Sequence, residues 1–120
     1  MAVIFKIAPR PLWQEAVEKG IFSGAPVDLA DGFIHFSAAH QVRETARRHF
    51  AGQSGLIIAA FDSDTLGDAL RWEASRGGDL FPHLYAPLPV TAALSVADLP
   101  LGADGTHQFP KAAPFSEIAA

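Results

Sequence analysis

Four polar side chains stand inside stretches otherwise built of strand-forming apolar residues: Lys6, His35, Glu73 and His83. Burying such groups is costly unless they are paired or face a cavity. Each therefore belongs either to a hydrogen-bonded core or to a site, and rigid sites are commonly built from strand-borne groups that face one cleft. His35 lies within Asp31-Gly-Phe-Ile-His-Phe-Ser37. An imidazole there can exchange a proton near neutral pH or hydrogen-bond a ligand hydroxyl; the other reading is a core histidine bonded to backbone. His83 follows Pro82, which fixes the local backbone, and shares a strand face with Tyr85. That pair either lines a pocket with hydrogen-bonding groups or ties an edge strand to a loop. Arg71 and Glu73 also share a face, as an ion pair or with Glu73 orienting a histidine.

Other chemistries fit poorly. His35, His83 and Glu73 lack the close spacing of a metal site, so no metal is expected. Ser37, His83 and Glu73 make a nucleophilic triad on paper, but no nucleophile elbow surrounds Ser37. There is no Gly-rich dinucleotide fingerprint and no phosphate-binding P-loop. His40, His49 and His107 have no context that sets them apart, and Trp13 and Trp72 read as core.

The elements that must carry these groups follow from periodicity. Val3 to Ile7 is a strand, ended by Pro9 and Pro11; Pro11 suits the first residue of a helix whose stripe is Leu12, Trp13, Ala16 and Val17 and whose stop is Gly20. Ile21 to Ala30 reads as a connection. Asp31-Gly32 is a turn, Phe33 to Phe36 a short buried strand, and Ser37 the N-cap of a helix from Ala38 to Ala51. In that helix Ala39, Val42, Ala46, His49 and Phe50 share a face, and Arg43, Glu44, Arg47 and Arg48 point mainly outward. Leu56 to Phe61 is an unbroken apolar run, a strand covered on both faces. Asp62 and Ser63 cap a short helical turn. Leu70 to Ala74 is a half-buried strand, Phe81 to Tyr85 a short strand or edge segment because Pro82 cannot donate, and Val90 to Val96 the last strand. The pattern is α+β: a small single domain over residues 1–99 with several strands and two main helices, then a Pro/Gly-rich, poorly structured tail over 100–120.

The totals narrow the function classes. The chain has 120 residues, one domain's worth, with a hydrophobic fraction of 49% that supports a sizeable core. A net charge of −4 argues against nucleic acid and anionic membrane as partners. The absence of cysteine removes disulfides, thiolate metal sites and a cysteine nucleophile. The N-terminus is too short and wrongly flanked for a signal peptide, and no apolar run reaches membrane-span length, so a cytoplasmic location is expected.

The succession IFKI, LWQEAVEKGIF, DGFIHFSAAHQVRETARRHF, RWE and GGDLFPHLY resembles the bacterial family called domain of unknown function 952, over the chain up to about Leu99. DGFIHFS and FPHLY are its most specific parts. The order of elements is similar, more distantly, to the ADP-ribosyltransferase-like superfamily, which includes the RNA 2′-phosphotransferases and poly-ADP-ribosyltransferases. Those split mixed sheets enclose a cleft that holds NAD in a bent form. Lys6 stands where that superfamily's first motif has histidine, GFIHFS puts His35 at the ring-bearing position of the second, and His83 stands at the glutamate position of the third.

The resemblance implies an ADP-ribosyltransferase-like fold that binds NAD, ADP-ribose or a related nucleotide, with NAD as substrate rather than resident cofactor. It implies His35 and His83 as the catalytic pair. Lys6 would attract a phosphate or carboxamide oxygen, and Tyr85 would join His83 at the ribose or acceptor. Ser37 would cap the helix and orient His35, and Glu73 would complete the ligand-binding set. The substitutions at Lys6 and His83 also suit a small-molecule binding module without catalysis. A protein-interaction domain whose polar residues are all satisfied core groups is the alternative of a different class.

Overall fold

The structure, a computed structural model, describes residues 2–118. Met1 and residues 119–120, the ends of the expected domain and tail, lie outside the described residues.

Strands β1 (Val3–Pro9) and β5 (Leu56–Asp62) form the centre. Side chains alternate across a strand, so each continuous apolar run must be covered on both faces. Ile4, Ala8, Ile57, Ala59 and Phe61 enter one core; Val3, Phe5, Ile7, Leu56, Ile58 and Ala60 enter the other. Antiparallel pairing of β1 with β5 fixes the sheet, β9 (Ala93–Leu99) covers the far edge of β5, and β4 (Ser37–Ala38) covers β1 only at Ile4 and Phe5.

One side of this sheet carries α1 (Arg10–Lys19), the two-stranded pairing of β2 (Ile21–Phe22) with β8 (Leu88–Pro89), and a second sheet. In α1, Trp13 and Ala16 are buried, and Trp13 packs on Phe22 and Phe61. Gly20, at φ +84°, ends the helix and donates to the Ala16 carbonyl. The second sheet has the order β3 (Ile34–His35), β7 (Leu80–Leu84), β6 (Leu70–Ala74), again antiparallel throughout. Its apolar face sends Ile34 and Leu84 into the first core.

The other side carries α3 (Val42–His49), through Val42 and Ala46, and the segment after Pro100. Phe115 and Ile118 are buried there, with the Phe115 ring 6.2 Å from that of Phe5. Burying a phenylalanine side chain contributes about 1.5–3 kcal/mol, enough to order a segment whose Gly and Pro content suggested little structure.

Several expectations change for identifiable reasons. The paired strands are antiparallel, where a mixed sheet was expected. The connection from Ile21 to Ala30 contains β2 and a further helix, α2 (Pro26–Asp31). The helix expected from Ala38 begins at Val42, because Ser37 and Ala38 pair with β1 first. Val17 and Trp72 are exposed rather than core; Trp72 sits on β6, an edge strand. The FPHLY strand is central in its sheet rather than at an edge. Pro82 turns its C=O toward Phe36, whose N–H it receives at 3.0 Å. The donor it lacks lies on that same side, beyond His35 where β3 ends. Residues 90–92 form a turn, so the last strand starts at Ala93.

Candidate active site

The site is built where one strand changes sheets. Along residues 34–38 the backbone amides alternate in direction. The Phe36 N–H goes to β7, while Ser37 is paired with Phe5 of β1. The His35 N–H points back toward β1, which has already diverged. A carboxylate fills that wedge: Asp28 Oδ1 accepts the His35 N–H at 3.0 Å and faces His35 Nδ1 at 2.7 Å.

Asp28 is placed by α2. Pro26 occupies the first turn of that helix and Gly32, at φ +84°, ends it. The Asp28 carboxylate reaches back to accept the Ala25 N–H at 2.8 Å, closing the helix start. It also accepts both 2.9 and 3.1 Å bonds from Lys6 Nζ. Asp28 is 2% exposed and Lys6 5%. Burial opposes ionisation of Asp28, yet the bonds from His35 and Lys6, the Lys6 charge and the Ala25 amide bring its pKa down to about 2. Burial pushes the Lys6 ammonium below its ordinary range, against the pull of Asp28. Gly24 makes the packing possible. It has φ +126°, and a Cβ there would lie 2.8 Å from the Asp28 Cβ.

Register then sets His35 directly across from His83, and His83 across from Arg71. The two imidazole centroids are 5.5 Å apart. His83 is buried, and its Nδ1 lies 2.9 Å from Glu73 Oε1, which also accepts the Tyr85 hydroxyl at 2.7 Å. The Tyr85 and His83 bonds hold Glu73 below the usual carboxylate range, and the bond to Glu73 pushes the Tyr85 phenol up. Phe33 stacks over this group, 4.2 Å from His83, 4.6 Å from His35 and 5.2 Å from Tyr85. Arg71 lies 5.0 Å over the Tyr85 ring. His35 Nε2 is 2.9 Å from Asp31 Oδ2. His83 Nε2, by contrast, has no protein partner among the described residues.

A cavity of about 430 Å³ opens at this point, within the range of small-molecule sites. Lys6, Ile7, Asp31, His35, Ser37 and His83 are on its wall, with Phe36, Phe50 and Phe81 as apolar surface. The profile of the family described as Protein of unknown function (DUF952) matches residues 7–96, a span that includes every wall residue except Phe5 and Lys6. The chain belongs to this family. Protein CC0527 from Caulobacter crescentus is similar at 52% identity. Its X-ray crystal structure covers 88% of this chain and 93% of that one with a TM-score of 0.86. The solution NMR structure of CC0527, also at 52% identity, covers 90% and 93% with a TM-score of 0.81. No curated protein matches the chain.

In this DUF952 domain the residues singled out from sequence divide into two groups. Lys6, His35, Ser37 and His83 meet at the cavity. Glu73 and Tyr85 stand behind His83 and are not on the wall. Glu73 orients a histidine rather than forming a pair with Arg71 alone. Ser37 caps no helix: its Oγ is 2.8 Å from Thr45 Oγ1, and its backbone belongs to β4. Sequence reading missed Asp28 and Asp31. The available signal was the Pro26-to-Gly32 spacing, a helix start and stop that places Asp28 in the first turn. No described helix is long and apolar enough to cross a membrane.

Proposed function

We propose that this cleft binds NAD, ADP-ribose or a related nucleotide by its ribose end, and that the chain transfers ADP-ribose from NAD to an acceptor hydroxyl. The observation that carries this reading is the unengaged Nε2 of His83, beside His35, in a cavity bounded by the open edge of β1. Beyond Phe5 no described strand pairs with it on the cleft side. Alternation turns the Ile7 N–H and C=O toward the cleft, a donor and acceptor that match a primary carboxamide. Phe36 and Phe81 offer an apolar wall for a flat ring.

In the transfer, the bond from C1′ to the nicotinamide nitrogen breaks, and its electron pair leaves with neutral nicotinamide. The acceptor oxygen bonds to C1′, and its proton passes to His83 Nε2. His35, held by Asp28, hydrogen-bonds the ribose, and Lys6 acts through Asp28 rather than on a phosphate.

One observation favours binding without transfer. Asp31 is the carboxylate on the wall, and His35 already engages it, while Glu73 stands behind His83. No unengaged carboxylate then faces a developing oxocarbenium charge. A thermal-shift series with NAD, ADP-ribose and nicotinamide, on wild type and His83→Ala, tests both readings. Ligand at a hundred times its Kd stabilises by about 2.7 kcal/mol. A shift that His83→Ala reduces, with nicotinamide released from NAD, supports transfer. The same shift without release leaves the binding module, and no shift with any of the three overturns both.

A further inference from the structure

We infer that Glu73 and Tyr85 are positioning residues that fix the tautomer of His83, placing its ring proton on Nδ1 and its lone pair on Nε2 inside the cleft. The base role this assigns to His83 rests on the function proposed above; the tautomer does not.

The argument is one of donors and acceptors. A carboxylate has only acceptors to offer. One oxygen, Glu73 Oε1, meets both His83 Nδ1 and the Tyr85 hydroxyl. Tyr85 and His83 keep Glu73 ionised, and the Tyr85 phenol stays protonated at neutral pH, so both neighbours must donate. Nδ1 therefore carries hydrogen whenever the ring is neutral, and Nε2 is left as a lone pair. Phe33, its ring centroid 4.2 Å from that of His83, packs against the imidazole and limits its rotation. Tyr85 is 41% exposed, so the chain Tyr85–Glu73–His83 also joins outer solvent to the cleft. His35 contrasts with this: each of its nitrogens faces a carboxylate oxygen, and neither is offered to a ligand as a free acceptor.

The test is a long-range ¹H–¹⁵N spectrum of the histidine rings in uniformly ¹⁵N-labelled protein without ligand, at a pH where His83 is neutral. The His83 signals are assigned by their loss in His83→Gln. Wild type should show a protonated Nδ1 and an unprotonated Nε2. Glu73→Ala, with its amide spectrum confirming the fold, should move the proton to Nε2 in most molecules. A wild-type ring protonated on Nε2, or a tautomer indifferent to Glu73→Ala, would overturn the inference. The wild-type spectrum alone decides if the variant fails to fold. Because no nucleotide is present, a correct tautomer combined with an absent NAD shift rejects the proposed function and leaves this assignment standing.

Discussion

Two carboxylate–imidazole pairs face each other across one strand pairing, and they solve opposite problems. In both, a carboxylate meets a histidine Nδ1. The Asp28 side chain is 1% exposed and answers Lys6, Ala25 and His35 together; the Glu73 side chain is 36% exposed and answers His83 and Tyr85. The histidines are reversed. That of the buried carboxylate has both nitrogens engaged, and that of the half-buried carboxylate is itself buried, on the cavity wall, with its Nε2 unpartnered among the described residues. A buried charge must be fully satisfied to be tolerated, so the Asp28 pair is committed to holding the strands apart. The Glu73 pair is free of that duty, and its histidine is the one left available for chemistry.

The largest effect that would break this comparison lies at Asp28. Asp28→Ala leaves the Lys6 ammonium buried and unpaired, which costs about 3–5 kcal/mol, and frees the His35 amide. For a domain of this size the melting temperature should fall by roughly 10–20 °C. Urea unfolding with a midpoint near wild type would show that the wedge is not held by this carboxylate. Gly24→Ala attacks the same hub from behind, through its positive φ and the 2.8 Å approach to the Asp28 Cβ. It should cost roughly 1–3 kcal/mol, and an unchanged midpoint would mean that α2 shifts freely.

Acid gives the next, smaller effect. The Asp28 pKa is depressed to about 2 in the folded chain, so its contribution is present above the unfolded value. It is lost as pH falls from about 4 through 2, and amounts to about 2 kcal/mol. Unfolding free energies measured across that window should decline in wild type, and Asp28→Asn should flatten that part of the decline. An equal decline in the variant would assign acid sensitivity elsewhere.

What could be read in advance depended on the range of the interaction. The run Leu56–Phe61 announced a doubly buried strand because strand burial is written in adjacent residues. His83 and Tyr85 could be placed on one face, and Glu73 beside a histidine, because a period of two and a hairpin fix such neighbours. The helix over Pro26–Asp31 is too short to show an apolar stripe, and Asp28 meets Lys6 across 22 positions of sequence, which no local pattern encodes. Ser37 precedes a helical stretch and so looks like a cap, but β1 takes its backbone first. Trp72 followed the alternation correctly onto the apolar face and is exposed only because β6 has no neighbour beyond it.

Glu73→Ala provides the smallest expected change in stability and the sharpest contrast. Glu73 itself stands on the edge strand β6 with a phenol and an imidazole as partners, and water can replace what the carboxylate supplies to Tyr85. The urea midpoint should stay close to wild type, while Asp28→Ala falls far below it in the same buffer. If the proposed function holds, Glu73→Ala should nevertheless impair nicotinamide release, since His83 would then offer a proton where the acceptor needs a base. A variant that unfolds as readily as Asp28→Ala would make the two pairs equivalent props. One that keeps both stability and turnover would leave Glu73 with no part in positioning His83.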